Sequence, residues 1–167
     1  MTVKDLQTLF EYGNWANRRL FQVMSQLQPE QFTQPVAGSY GSIRNTMVHV
    51  VSAEWGWLDR CGGPARGPAL KPADYPTVQS LIETCSTVEV HVRGFLTRLK
   101  DSDLGRIVEF VLAEKRSMPL GELMQHAANH GVHHRGQVAL LLRALGYTPG
   151  NFDILFYHAE KQSGPAL

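Results

Sequence analysis

Apolar residues recur at three- and four-residue intervals in four long stretches, the spacing that lines them along one side of a helix. In the first, Leu6, Leu9, Phe10, Gly13, Leu20, Val23 and Leu27 predict a helix from about Val3 to Leu27, ended by Pro29. The second begins at Ser42, whose hydroxyl can accept a hydrogen bond from an unpaired first-turn amide. Its inward side carries Ile43, Met47, Val50, Trp57 and Leu58. It stops near Cys61, where CGGPARGPALKPADYP packs glycine and proline too densely for regular structure. Thr77 opens the third, whose stripe runs through Val78, Leu81, Ile82, Cys85, Val88, Val92, Phe95, Leu96 and Leu99 to about Lys100.

The period then changes. From Gly105 to Pro119, Ile107, Glu109 and Val111 alternate with Val108, Phe110 and Leu112, which predicts a short β-hairpin turning at Ala113, Glu114 and Lys115. A fourth helix follows from about Leu120 to Leu145, closed by Gly146. The tail carries a short helical segment, Phe152 to Glu160. Four helices of similar length with polar or Gly/Pro-rich connections predict an all-α four-helix bundle, one domain over residues 1–167. The connection between the second and third helices is long enough to cross the end of the bundle and leave those two helices parallel.

Composition narrows the function classes. With 43% hydrophobic and 19% charged residues the chain is globular rather than disordered. Its net charge of +1 and scattered arginines offer no basic stripe, so no nucleic-acid partner is expected. The amino terminus lacks the apolar run of a signal peptide, and no stretch is apolar enough to span a bilayer. Cys61 and Cys85 are isolated, without CxxC spacing. These features lead to an expected cytoplasmic location without membrane association.

The candidate chemistry lies in the histidines. Of seven in the chain, four fall in HAANHGVHH: His126, His130, His133 and His134. At about 100° per residue, Leu123, Ala127, Val138, Leu141 and Leu145 define the inward stripe of the fourth helix; His130 and His134 lie within it. His126, His133 and Gln137 lie along its edge. A lone histidine on an apolar face is ordinarily a core residue bonded to a carbonyl or carboxylate. Two imidazoles at i and i+4 can instead converge on one ion, and an ion satisfies both nitrogens in an apolar setting. His49, in the middle of the second helix, is the best third ligand, because bundle cores build metal sites from facing helices. His91 and His158 lack such partners and read as structural or exposed.

Trp15-Ala16-Asn17, the segment SIRNTMVHVVSAEWGWL and above all HAANHGVHHRGQVALLLRALGYTP, followed by Asp153 and Tyr157, give the chain its resemblance to the DinB/YfiT-like family (DinB superfamily) of metal-dependent enzymes. The resemblance implies a bundle with up-down-down-up topology and a metal held by three histidines, which map onto His49, His130 and His134. It also implies a homodimer.

Three imidazoles with open positions suit a Lewis-acid divalent ion, zinc or nickel first, with iron, cobalt or manganese as alternatives. Such an ion lowers the pKa of bound water or thiol. The expected activity is that of a metal-dependent transferase acting on a small-molecule substrate with a low-molecular-weight thiol, in detoxification or stress response. Two alternatives stand beside it: a metal-dependent hydrolase, with Glu54 as the nearest carboxylate in sequence to His49, and a non-catalytic metal-binding stress protein.

Overall fold

A computed structural model describes residues 1–163 of the chain. Each of the first three long helices starts where a hydroxyl can serve first-turn amides. Helix α1 (Val3–Met24) follows Thr2, which accepts from the Asp5 amide at 3.2 Å while the Asp5 carboxylate accepts from the Thr2 amide at 2.8 Å. Helix α3 (Ile43–Arg60) follows Ser42, which accepts from Asn45 at 3.0 Å, and α4 (Val78–Arg98) follows Thr77, which accepts from Ser80 at 3.2 Å. The fourth long helix, α5 (Leu120–Ala144), has no such cap. It grows directly out of a strand, and the Leu120 amide donates to the Arg106 carbonyl at 2.8 Å.

Helices α3 and α5 both end at a glycine in the left-handed region, Gly62 (φ 90°) and Gly146 (φ 85°). Behind them the amides of Gly63 and Tyr147 reach back to Leu58 and Leu142 at 2.9 and 3.0 Å.

Three elements depart from the sequence reading at their ends. The first helix stops at Met24 rather than Leu27, and Pro29 begins a further short helix, α2 (Pro29–Thr33). Proline lacks the amide that a first helical position leaves unpaired, so it can start a helix as readily as stop one. The hairpin forms as expected, β1 (Ile107–Val111) pairing antiparallel with β2 (Lys115–Pro119), but Lys115 belongs to the strand opposite Val111. Val108 and Phe110 face the core, and Phe110 meets Trp57 edge-on at 5.5 Å. The tail helix α6 (Ile154–Ser163) begins two residues later than expected and buries Tyr157 against Tyr12 and Ala16 of α1. The expected domain over residues 1–167 includes 164–167, which lie outside the described residues.

The described chain is thus mostly helical with one two-stranded sheet. Helix α3 packs against α4 and α5, and α1 packs against the same two helices. Leu6, Leu20, Met47, Leu58, Leu81, Leu120 and Leu123 fill the space between them. No described helix is long and apolar enough to cross a membrane.

One charged side chain lies inside this core. Arg135 of α5 is only 2% exposed, and its guanidinium reaches Asn17 on α1 (3.3 Å to Oδ1) beside the Tyr12 ring. It fills a gap that two glycines provide. A β-carbon on Gly131 would stand 2.7 Å from its Nη1, and one on Gly13 3.6 Å. Gly136 of the same helix faces open space. Gly136→Ala should therefore stabilise by up to about 1 kcal/mol through helix propensity, whereas Gly131→Ala should destabilise by about 1–3 kcal/mol through overpacking. Urea melts of the two variants check the opposite signs.

Candidate metal centre

Helices α3 and α5 bring His49, His130 and His134 together. One ring nitrogen of each lies within 4.8 Å of the others. The Nε2 atom of His130 stands 3.2 Å from Nε2 of His49 and 3.1 Å from Nε2 of His134. His134 is buried, and the other two rings are partly exposed, so the cluster opens at one side.

Hydrogen bonding sets the protonation of His134. Its Nδ1 lies 2.7 Å from Oε1 of Gln137, one turn on. An amide oxygen only accepts, so Nδ1 carries the proton and Nε2 presents a lone pair to the cluster. The orientation of the Gln137 amide follows from its other partners. Ser39 Oγ donates to the same oxygen at 2.9 Å, and the amide nitrogen donates to Nε2 of His133 at 3.1 Å. Gln137 thereby acquires the orienting position that its place on the helix edge suggested. His126 is exposed and stacks edge-on against Trp57 at 4.8 Å.

Three imidazole nitrogens facing one another need something between them. A proton on His130 Nε2 can point at one neighbour only, which leaves another lone pair facing it unsatisfied. Protonating the rings is disfavoured. Burial, and then the His134 charge, pushes His49 down to about 4; burial followed by His134 and His49 pushes His130 down to about 4. Neutral imidazoles are the form a metal takes. An ion about 2.0–2.1 Å from each nitrogen in tetrahedral geometry sets the nitrogens about 3.3–3.4 Å apart. The two close separations here, 3.2 and 3.1 Å, are near that value. The donor set fits a divalent ion.

Other candidates fall elsewhere. Glu54 answers electrically to Arg135 and Glu89 rather than to the imidazoles; a little of the residue reaches solvent, but burial pushes its carboxyl up to about 7. His91 is partly buried beside Trp55 (5.4 Å), and His158 is exposed on α6. Both cysteines are free thiols, and burial pushes Cys61 up to about 11 and Cys85 up to about 12, so neither supplies a ready thiolate.

Two residues at the site escaped the sequence reading. Tyr40 stacks on His49, with ring centroids 3.9 Å apart, and Ser39 bonds Gln137. Both sit in a loop, where helical periodicity carries no information; the flanking Gly38 and Gly41 were the available signal.

A family profile described as the DinB family matches residues 1–164. "Protein DinB" of Bacillus subtilis (strain 168) is 26% identical over 156 residues, covering 89% of this chain and 91% of that protein. A DinB-like protein from Bacillus cereus ATCC 10987 has the same fold, with TM-score 0.75 and 23% identity over 90% of this chain and 97% of its own. The colibactin self-resistance protein ClbS, solved in complex with a dsDNA, aligns with TM-score 0.58 and 13% identity over 85% of this chain and 96% of its own.

This last likeness corrects the expectation that nucleic acid is excluded. A low net charge and the lack of a basic run do not rule such a partner out for a fold that includes a DNA complex, because side chains distant in sequence can share a face. The expected homodimer and small-molecule partner gain no support from these likenesses.

The depressed rings give the metal-free site a pH signature. Both histidines take up protons more readily in the unfolded chain, near 6.5, than in the folded one, near 4. The stability they contribute is present above 6.5 and is lost as pH falls towards 4. In chelator-treated protein the melting temperature should drop over that interval. The drop between pH 6.5 and 5 should be shallower in a variant carrying His49→Gln and His130→Gln, as melts across pH would show.

Proposed function

Because the chain belongs to the DinB family, we propose that it is a metal-binding protein in which His49, His130 and His134 hold one divalent ion, zinc or nickel first, with iron, cobalt or manganese as alternatives. The observation that carries this reading is the convergence of three Nε2 atoms from two facing helices, with neutral rings favoured by burial. A divalent ion held by these three imidazoles would supply Lewis acidity, the property that lowers the pKa of a thiol or water. The chain's own residues supply the setting: Gln137 holds the His134 tautomer.

Among reactions, we favour transfer with a low-molecular-weight thiol, in detoxification or stress response. Cys61 is buried and Cys85 half-buried, and burial raises the pKa of both, so the nucleophile comes from outside the chain. The hydrolytic alternative is less favoured, since none of the hydrogen bonds of the cluster involves Glu54, the carboxylate nearest His49 in sequence. A metal-binding stress protein without catalysis is the reading from a different class, and turnover with thiol cosubstrates separates it from the transferase. The same proposal includes a single domain over residues 1–167, the four long helices as an up-down-down-up bundle, and a cytoplasmic location, which suits two free thiols.

Elemental analysis and melting with and without chelator provide the test. The purified protein should carry one ion per chain. At an ion concentration about 100 times its Kd, binding adds about 2.7 kcal/mol, so chelation should lower the melting temperature by about 5–10 °C. Alanine at His49, His130 or His134 should remove most of both the ion and the chelator effect, while His91→Ala and His158→Ala should leave them intact. Full metal content in His130→Ala or His134→Ala contradicts the proposed centre.

A further inference from the structure

Tyr40 stands over the imidazole cluster from outside the long helices. Its ring stacks on His49 with planes 19° apart, and it meets the His134 ring edge-on at 5.4 Å. Its hydroxyl lies 2.9 Å from Nε2 of His49, the same nitrogen that faces His130. The side chain is nevertheless 45% exposed. It therefore lies across the open side of the cluster rather than inside the core.

The loop that carries it is held in an unusual backbone shape. Gly38 (φ 82°), Ser39 (φ 50°) and Gly41 (φ 82°) are all left-handed, and Ser39 is the one non-glycine with positive φ among the described residues. A side chain disfavours that region, and such a residue persists where its surroundings hold it. Here they do. The Gly41 amide donates to the Gly38 carbonyl at 3.2 Å, and the Val36 amide donates to the Gly41 carbonyl at 2.9 Å. Asn45 Nδ2 on α3 donates to the Tyr40 carbonyl at 3.0 Å, and Ser39 Oγ reaches Gln137 on α5 and Thr46 on α3, each at 2.9 Å. The turn is fastened to both helices that carry the histidines, and through Gln137 to the group that orients His134.

We propose that Tyr40 is a fourth protein group of the metal centre: its hydroxyl lies at the position that three imidazoles leave open, and an external ligand reaches the ion by displacing it. This rests on the three-histidine reading above. Three imidazoles leave an ion short of its usual four donors, and a hydroxyl oxygen is an acceptable fourth for the divalent ions that imidazoles bind. Because the turn is fastened to both helices, it is the exposed Tyr40 side chain that swings away, by rotating about its own side-chain bonds while the turn stays in place.

Cobalt(II) supplies a visible readout that does not depend on activity. Chelator-treated wild type, Tyr40→Phe and Ser39→Ala are each loaded with one equivalent of cobalt. Their d–d absorption is recorded, and azide is titrated as the external ligand, with circular dichroism confirming the fold. Tyr40→Phe should keep cobalt stoichiometry, change the d–d bands and bind azide about tenfold more tightly, as expected if the hydroxyl leaves the position open about one part in ten. Ser39→Ala, which loosens the turn but keeps the hydroxyl, should move azide binding in the same direction by less. Bands and azide affinity identical in wild type and both variants would overturn the role of Tyr40 while leaving the histidine centre standing. Failure of the wild type to take up cobalt would overturn both.

Discussion

Helix α5 has to satisfy two neighbours with consecutive residues. At about 100° per residue, His134 and Arg135 point in different directions. The first meets His49 across the contact with α3, and the second enters the contact with α1, where Asn17 and Tyr12 receive it. The rotation of α5 about its own axis is therefore fixed from both sides. A turn that improved one contact would withdraw the other. The glycines at 13 and 131 are the local consequence, since a guanidinium can lie between α1 and α5 only where side chains are absent.

Burial first, and then the neighbouring histidines, keep His49 and His130 neutral. Arg135 has no carboxylate in hydrogen-bond contact; Asn17 offers a neutral oxygen, and Glu54 acts only through its field. Arg135 stays a cation, and burial raises the Glu54 carboxyl to about 7 against the opposing pull of Arg135. On the other side of α5, the ring nitrogens face one another with no carboxylate among their hydrogen-bond partners. A carboxylate there would favour imidazolium. Without one, desolvation dominates, and the rings stay in the state that binds a cation through lone pairs.

The sequence made most of the helical frame legible because each long helix carries both a stripe and an end signal. Thr77, Ser42, Gly146 and the alternation around Phe110 each correspond to the cap or strand that their chemistry suggests. Periodicity put His130 and His134 on one inward face, while His49 was legible only as the best third ligand on a facing helix and through the family resemblance. Pro29 misled because one residue type serves both as a helix stop and as a helix start. Tyr40 and Ser39 were not legible at all: their positions depend on three left-handed residues and on hydrogen bonds to side chains nearly 100 residues away, none of which leaves a period in the chain. Net charge misled about nucleic acid because it sums over the surface and says nothing about one face.

The proposed centre is a single ion held by three imidazoles from two helices. X-ray absorption spectroscopy on the zinc-loaded protein reads that shell directly. Scattering from three histidine rings, with metal–nitrogen distances of about 2.0–2.1 Å, is the expected result. A sulfur shell near 2.3 Å, or fewer than three imidazole contributions, would contradict the three-histidine centre.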